Sequence, residues 1–163
     1  MLEYLIFGVA ALITLGAGIA VVTEKNILHS AFFLVLSFFG VAALYVMLEA
    51  PFLAVAQILI YIGAIAVLII FAIMLTRRLL SEDLIQRNAQ WFWSALGALA
   101  FFGVLALIIF EVNWPALQTA VPEDPIVLLG EGLLSTYLIP FEIASVLLLA
   151  ALIGAIIIGR EKE

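Results

Sequence analysis

An uncharged run over residues 52–76, FLAVAQILIYIGAIAVLIIFAIMLT, closed by Arg77 and Arg78, limits what this chain can fold into more than any other feature. It is about 25 residues long, and at ~1.5 Å per residue a helix of that length reaches ~37 Å, enough to cross a ~30 Å hydrocarbon layer with some tilt. Its only strongly polar side chains are Gln57 and Tyr61, one helical turn apart on one face. Gly63 stands near its middle, where glycine costs a soluble helix ~1 kcal/mol against alanine. Such a segment belongs in lipid, and the rest of the chain reads as packing, orienting or connecting it.

Composition agrees. Of 163 residues, 67% are hydrophobic and 11% charged, too little polar surface to cover a soluble domain of this size. There is no cysteine, which excludes disulfides, thiolate zinc sites and iron–sulfur ligation by this chain, and a single histidine excludes a bis-histidine haem. A net charge of −6 with six Lys and Arg offers no basic surface for nucleic acid. The first apolar run opens with Glu3 and lacks a basic leader, so it reads as a retained membrane helix rather than a signal peptide.

Five apolar segments of spanning length are predicted, at about residues 2–22, 28–48, 52–76, 89–110 and 138–159. No alternating ten-residue pattern of a barrel appears, so the fold class is all-α, a polytopic membrane protein forming one integral membrane domain. Lys25, Arg77, Arg78, Arg87, Arg160 and Lys162 all fall on one side of a five-span topology. The positive-inside rule then predicts an outer amino terminus and a cytoplasmic carboxy terminus. Asn26 is placed to cap the second helix, Pro51 to separate the second and third, and Pro140 to sit in the first turn of the fifth, with Glu142 beside it. Trp91, Trp93 and Trp114 mark the interfacial ends of the fourth. Small residues at Gly16, Ala17 and Gly18, and at the pairs Ala150–Gly154 and Ala151–Ala155, suit close helix approach. The outer loop, residues 111–137, ends in IVLLGEGLLSTYL, too short to span and read as a re-entrant or interfacial piece or a docking arm for a neighbour.

Ionisable groups inside a membrane are the default functional candidates. This chain has few, and no carboxylate pair, nucleophile–base set or metal-ligand spacing, so it carries no self-contained catalytic site. Glu142 is either a carboxylate favoured by a helix N-terminus or a member of a proton route. His29 is an interfacial or capping residue or a proton carrier. Gln57 and Tyr61 make interhelical hydrogen bonds or hold a water chain. Gly63 is a packing glycine or the point where the third helix moves between α and π-bulged hydrogen bonding.

Residues 56–75, AQILIYIGAIAVLIIFAIML, resemble the third helix of the J subunit of NADH:quinone oxidoreductase, respiratory complex I, a family that includes mitochondrial subunit 6 and the G subunit of photosynthetic NDH complexes. Gln57, Tyr61, Gly63, Ala64, Ile65, Val67 and Leu68 fit its usual core. Asn26-Ile27-Leu28-His29-Ser30 resembles the family's N-P-x-H-S, with Ile27 in place of proline, and residues 140–156, PFEIASVLLLAALIGAI, match in order. Ala66 stands where photosynthetic members often carry asparagine. The resemblance implies a non-redox membrane subunit set between quinone-binding H-type and antiporter-like N-type subunits, beside A- and K-type subunits and lipid. It also implies a third helix that switches between α and π-bulged forms to make or break a water path. The cofactors it implies lie off this chain: FMN where the donor is NADH, iron–sulfur clusters and a quinone. The membrane is a cell (inner) membrane, or a thylakoid membrane in a photosynthetic host. A purely structural assembly subunit, or a subunit of a related cation/proton antiporter or membrane hydrogenase, are the other readings.

Overall fold

The structure is a computed structural model; it describes residues 1–76, 90–112 and 124–160. Arg77, Arg78, Arg87, Trp114 and Lys162, which enter the sequence argument, lie outside the described residues. Within them the chain is helical throughout: α1 (Leu2–Thr23), α2 (Ile27–Met47), α3 (Pro51–Leu75), α4 (Trp91–Glu111), α5 (Pro125–Leu134) and α6 (Leu138–Gly159). Five of these, all but α5, are long and apolar enough to cross a membrane. Each lies within two residues of its predicted bounds.

The chain forms two compact units, Met1–Leu117 and Gln118–Glu163. In the first, α1 and α2 form an antiparallel hairpin and α3 packs on α2. Asn26 caps α2 as expected, its Oδ1 accepting the Leu28 N–H at 2.9 Å and the His29 N–H at 3.4 Å. Across the same turn the Ser30 hydroxyl donates to the Val21 carbonyl.

The turn between α2 and α3 is tighter. The Ala50 N–H reaches back to the Tyr45 carbonyl at 3.0 Å and the Glu49 N–H to that of Val46 at 3.1 Å, the paired closure of a Schellman motif. Such a motif needs a left-handed residue after the helix, usually glycine; here Glu49 supplies it at φ 54°. Pro51 then opens α3 at a position where its missing N–H costs nothing.

The core is built from small residues. Ala10, Ala17, Ala31, Ala42, Ala54 and Ala66 are buried, and Ile73 is the one large apolar side chain among the described residues that joins them. Lipid tails are as apolar as leucine, so helices here gain from close backbone approach rather than from hiding large side chains. The seam of α1 and α2 shows it. Gly40 lies so near Thr14 that an added Cβ would stand 2.2 Å from its Oγ1 and 3.0 Å from its backbone nitrogen. The Ser37 hydroxyl donates to the Thr14 carbonyl at 3.1 Å, and Gly18 lies beside Ser37. Other helix hydroxyls donate to the preceding turn, as in Thr14 to Ala10 and Ser145 to Phe141.

In the second unit, the apolar stretch read as interfacial or re-entrant is helical as α5, ended by a hydrogen bond from the Tyr137 N–H to the Gly132 carbonyl at 2.8 Å. Of the small residues of α6, Gly154 has open space where a Cβ would stand, and α6 holds no buried residue. Glu142 is the fifth residue of α6, so it falls beyond the first turn rather than within it. Its interaction with the helix N-terminus is weaker than the sequence suggests, because that effect fades within one turn.

Candidate functional site

The centre of α3 is not an α-helix. From Gln57 to Ala66 ten residues run as a π-helix, with α-helical turns Pro51–Ala56 before it and Val67–Leu75 after it. The backbone joins the two forms smoothly, Ala56 at φ −60°, ψ −40° and Val67 at φ −62°, ψ −42°. Most π-helices are single-turn bulges, and they concentrate at functional sites. This one holds three of the five sequence candidates, Gln57, Tyr61 and Gly63.

The three occupy different surroundings. Gln57 is 6% exposed and is the one buried polar residue among those described. Its amide makes no side-chain hydrogen bond to any described residue. No fully occluded side-chain nitrogen or oxygen among them is left unpaired, so the amide keeps a sliver of accessible surface. An amide held this way in an apolar bundle leaves ~1–3 kcal/mol of hydrogen bonding unrealised until water or a partner meets it.

Tyr61 is 46% exposed and meets the edge of Phe38 on α2, ring centroids 5.6 Å apart at 80°. Among the described residues neither Gln57 nor Tyr61 makes an interhelical side-chain hydrogen bond. Gly63 is exposed, and a Cβ there would lie 3.4 Å from the Ile58 carbonyl oxygen, an ordinary contact. The π form thus has room for a methyl group at 63, and packing among the described residues does not demand glycine. Ala66, which ends the π-helical segment, is 1% exposed.

The remaining candidates stand elsewhere. His29 is exposed in the first turn of α2, its N–H taken up by the Asn26 cap. Glu142 is exposed on α6 of the second unit. The structure therefore gathers Gln57, Tyr61 and Gly63 on one segment. It adds Phe38, which sequence reading missed, and buries Ala66, which the sequence marked only as a departure from photosynthetic members. A phenylalanine among so many apolar residues carries no distinguishing signal; only its contact with Tyr61 singles it out.

Membrane-length apolar helices, a core of alanine and glycine, and an unpaired amide at the start of a π-helical segment fit a polytopic helical membrane protein. Sequence comparison names the family. The family of NADH-ubiquinone/plastoquinone oxidoreductase chain 6 matches residues 17–158. NAD(P)H-quinone oxidoreductase chain 6 of Synechocystis sp. is 40% identical over 162 residues, covering 97% of this chain and 81% of the relative. The F(420)H(2) dehydrogenase subunit J of Methanosarcina mazei is 40% identical over 163 residues, covering 98% and 92%. The chloroplast subunit 6 of Staurastrum punctulatum is 45% identical over 153 residues, covering 89% and 83%. The chain belongs to the chain 6 family, the J-type membrane subunits of complex I-type quinone oxidoreductases.

Proposed function

We propose that this subunit couples quinone reduction to proton translocation through a third helix that passes between π and α hydrogen bonding, and carries no redox group itself. The observation that supports this reading is the ten-residue π-helical segment across the middle of α3. In it each N–H reaches one residue further back than in an α-helix, so return to α bonding shifts the register by one residue, ~100° of helix rotation. Tyr61 then changes the surface it faces. The unpaired amide of Gln57 is a site for a bridging water, and the surrounding Ile, Leu and Val keep the path dry when that water is absent. Glu142 and His29 tune polar contacts nearer the helix ends.

The partners in this reading are the H-, N-, A- and K-type membrane subunits. FMN, where NADH is the donor, and the iron–sulfur clusters reside on other subunits; without cysteine this chain offers the clusters no thiolate ligands. The relatives named for NAD(P)H and for F(420)H(2) are each 40% identical to this chain. Equal distance to both supports a role indifferent to the donor, which other subunits select. The membrane is the cell membrane or a thylakoid, with the amino terminus outside.

Gly63→Leu tests the switch. A large side chain at mid-segment resists re-registration, and the assembled complex is expected to lose proton pumping at least tenfold; wild-type pumping in that complex would refute the gating role. Gly63→Ala fits the π form and is expected to assemble normally with reduced pumping. Failure of Gly63→Ala to assemble would instead favour a purely structural subunit.

A further inference from the structure

The Tyr61 ring has one aromatic neighbour among the described residues, Phe38, and their edge-to-face contact is the one ring pair there that joins two helices. The other two, Trp91–Phe92 and Phe92–Trp93, lie within α4. Edge-to-face pairs are directional, because the positive rim of one ring meets the negative face of the other. Phe38 is itself held from behind. Its neighbour Ser37 donates to the Thr14 carbonyl, and Gly40 leaves no room between α2 and Thr14. Successive residues of an α-helix point ~100° apart, so α2 turns Ser37 to α1 and Phe38 to α3. Ala42, one turn beyond Phe38 on that face, is buried.

We infer that Phe38 is a positioning residue for Tyr61: the α1–α2 seam sets the register of α2, and α2 presents the Phe38 ring as a fixed wall against which the tyrosine rests while the segment is π-helical. A one-residue change of register carries Tyr61 off that wall, so the pair also latches the π form. This rests on the proposed role of the π-helical segment only for its consequence in pumping; the ring contact is independent of it.

The test uses the assembled complex with 3-fluorotyrosine at position 61, read by fluorine NMR and by protons translocated per electron with the complex's own donor. Phe38→Leu keeps apolar bulk but removes the ring. It is expected to move the fluorine resonance and lower the proton ratio at least threefold, with electron transfer to quinone retained. Phe38→Tyr keeps a ring and is expected to restore both, and Phe39→Leu, its exposed neighbour, to change neither. A resonance unmoved in Phe38→Leu, or moved equally in Phe39→Leu, overturns the assignment. Loss of assembly in both Phe38→Leu and Phe38→Met overturns it too, since the ring would then merely hold the bundle together. A moved resonance with a wild-type proton ratio upholds Phe38 as the positioning residue and sinks the gating role of Tyr61.

Discussion

At the scale of single residues, among the described glycines Gly40 leaves the least room for a side chain, and what stands in the way is Thr14. The Cβ that Gly40→Ala adds would lie 2.2 Å from Thr14 Oγ1, 3.0 Å from its nitrogen and 3.1 Å from its Cα. The hydroxyl can rotate away; the backbone cannot, so the helices must part. Overpacking of this kind costs ~1–3 kcal/mol. Gly40→Ala is therefore expected to lower the thermal midpoint of the protein in detergent, and Thr14→Ala in the same chain to recover part of the loss. An unchanged midpoint would show that α1 and α2 slide apart freely. Gly63 differs in kind. Among the described residues a methyl group there would meet only the Ile58 carbonyl oxygen, at 3.4 Å, so packing within them does not require glycine.

Among the elements, the joint between α2 and α3 has no slack. Three residues, Leu48 to Ala50, are closed by two backbone hydrogen bonds, and the turn accepts a left-handed glutamate to achieve it. For a side-chain-bearing residue that conformation costs roughly 1–2 kcal/mol. Glu49→Gly is expected to relieve about 1 kcal/mol of it and raise the thermal midpoint by a few degrees. A lower midpoint would mean that the Glu49 carboxylate makes a contact worth more than the strain. Helix existence and helix ends were legible beforehand, because length, hydropathy, the Asn26 cap and Pro51 are local signals. The π-helical run was foreshadowed by Gly63 and by family resemblance alone. Its ten-residue extent was not readable, since α- and π-helices draw on the same apolar residues.

On the scale of the whole molecule, the chain turns its large side chains outward. Among the described residues the buried set is mostly alanine, and α4 and α6 contribute none of it. Such helices suit a subunit whose packing is completed by lipid and neighbouring subunits. Orientation belongs to this scale as well, for it depends on the sum of basic residues and not on any one of them. Tags at both ends of the chain are expected to be reached from opposite sides of the membrane, the carboxy-terminal tag from the cytoplasm; access from a single side would remove one span from the topology.

Sequence alone determined the solvent, the number of spanning helices and the family, because lipid imposes length and hydropathy on every segment that crosses it. It also pointed to Gln57, Tyr61 and Gly63, since polar or helix-weakening residues stand out in an apolar run. Which of them is buried, which meets a ring and which has room to spare was decided only by how α3 lies on α2. Burial and ring contact are properties of two helices together, and a pattern read along one strand of sequence holds no record of the other.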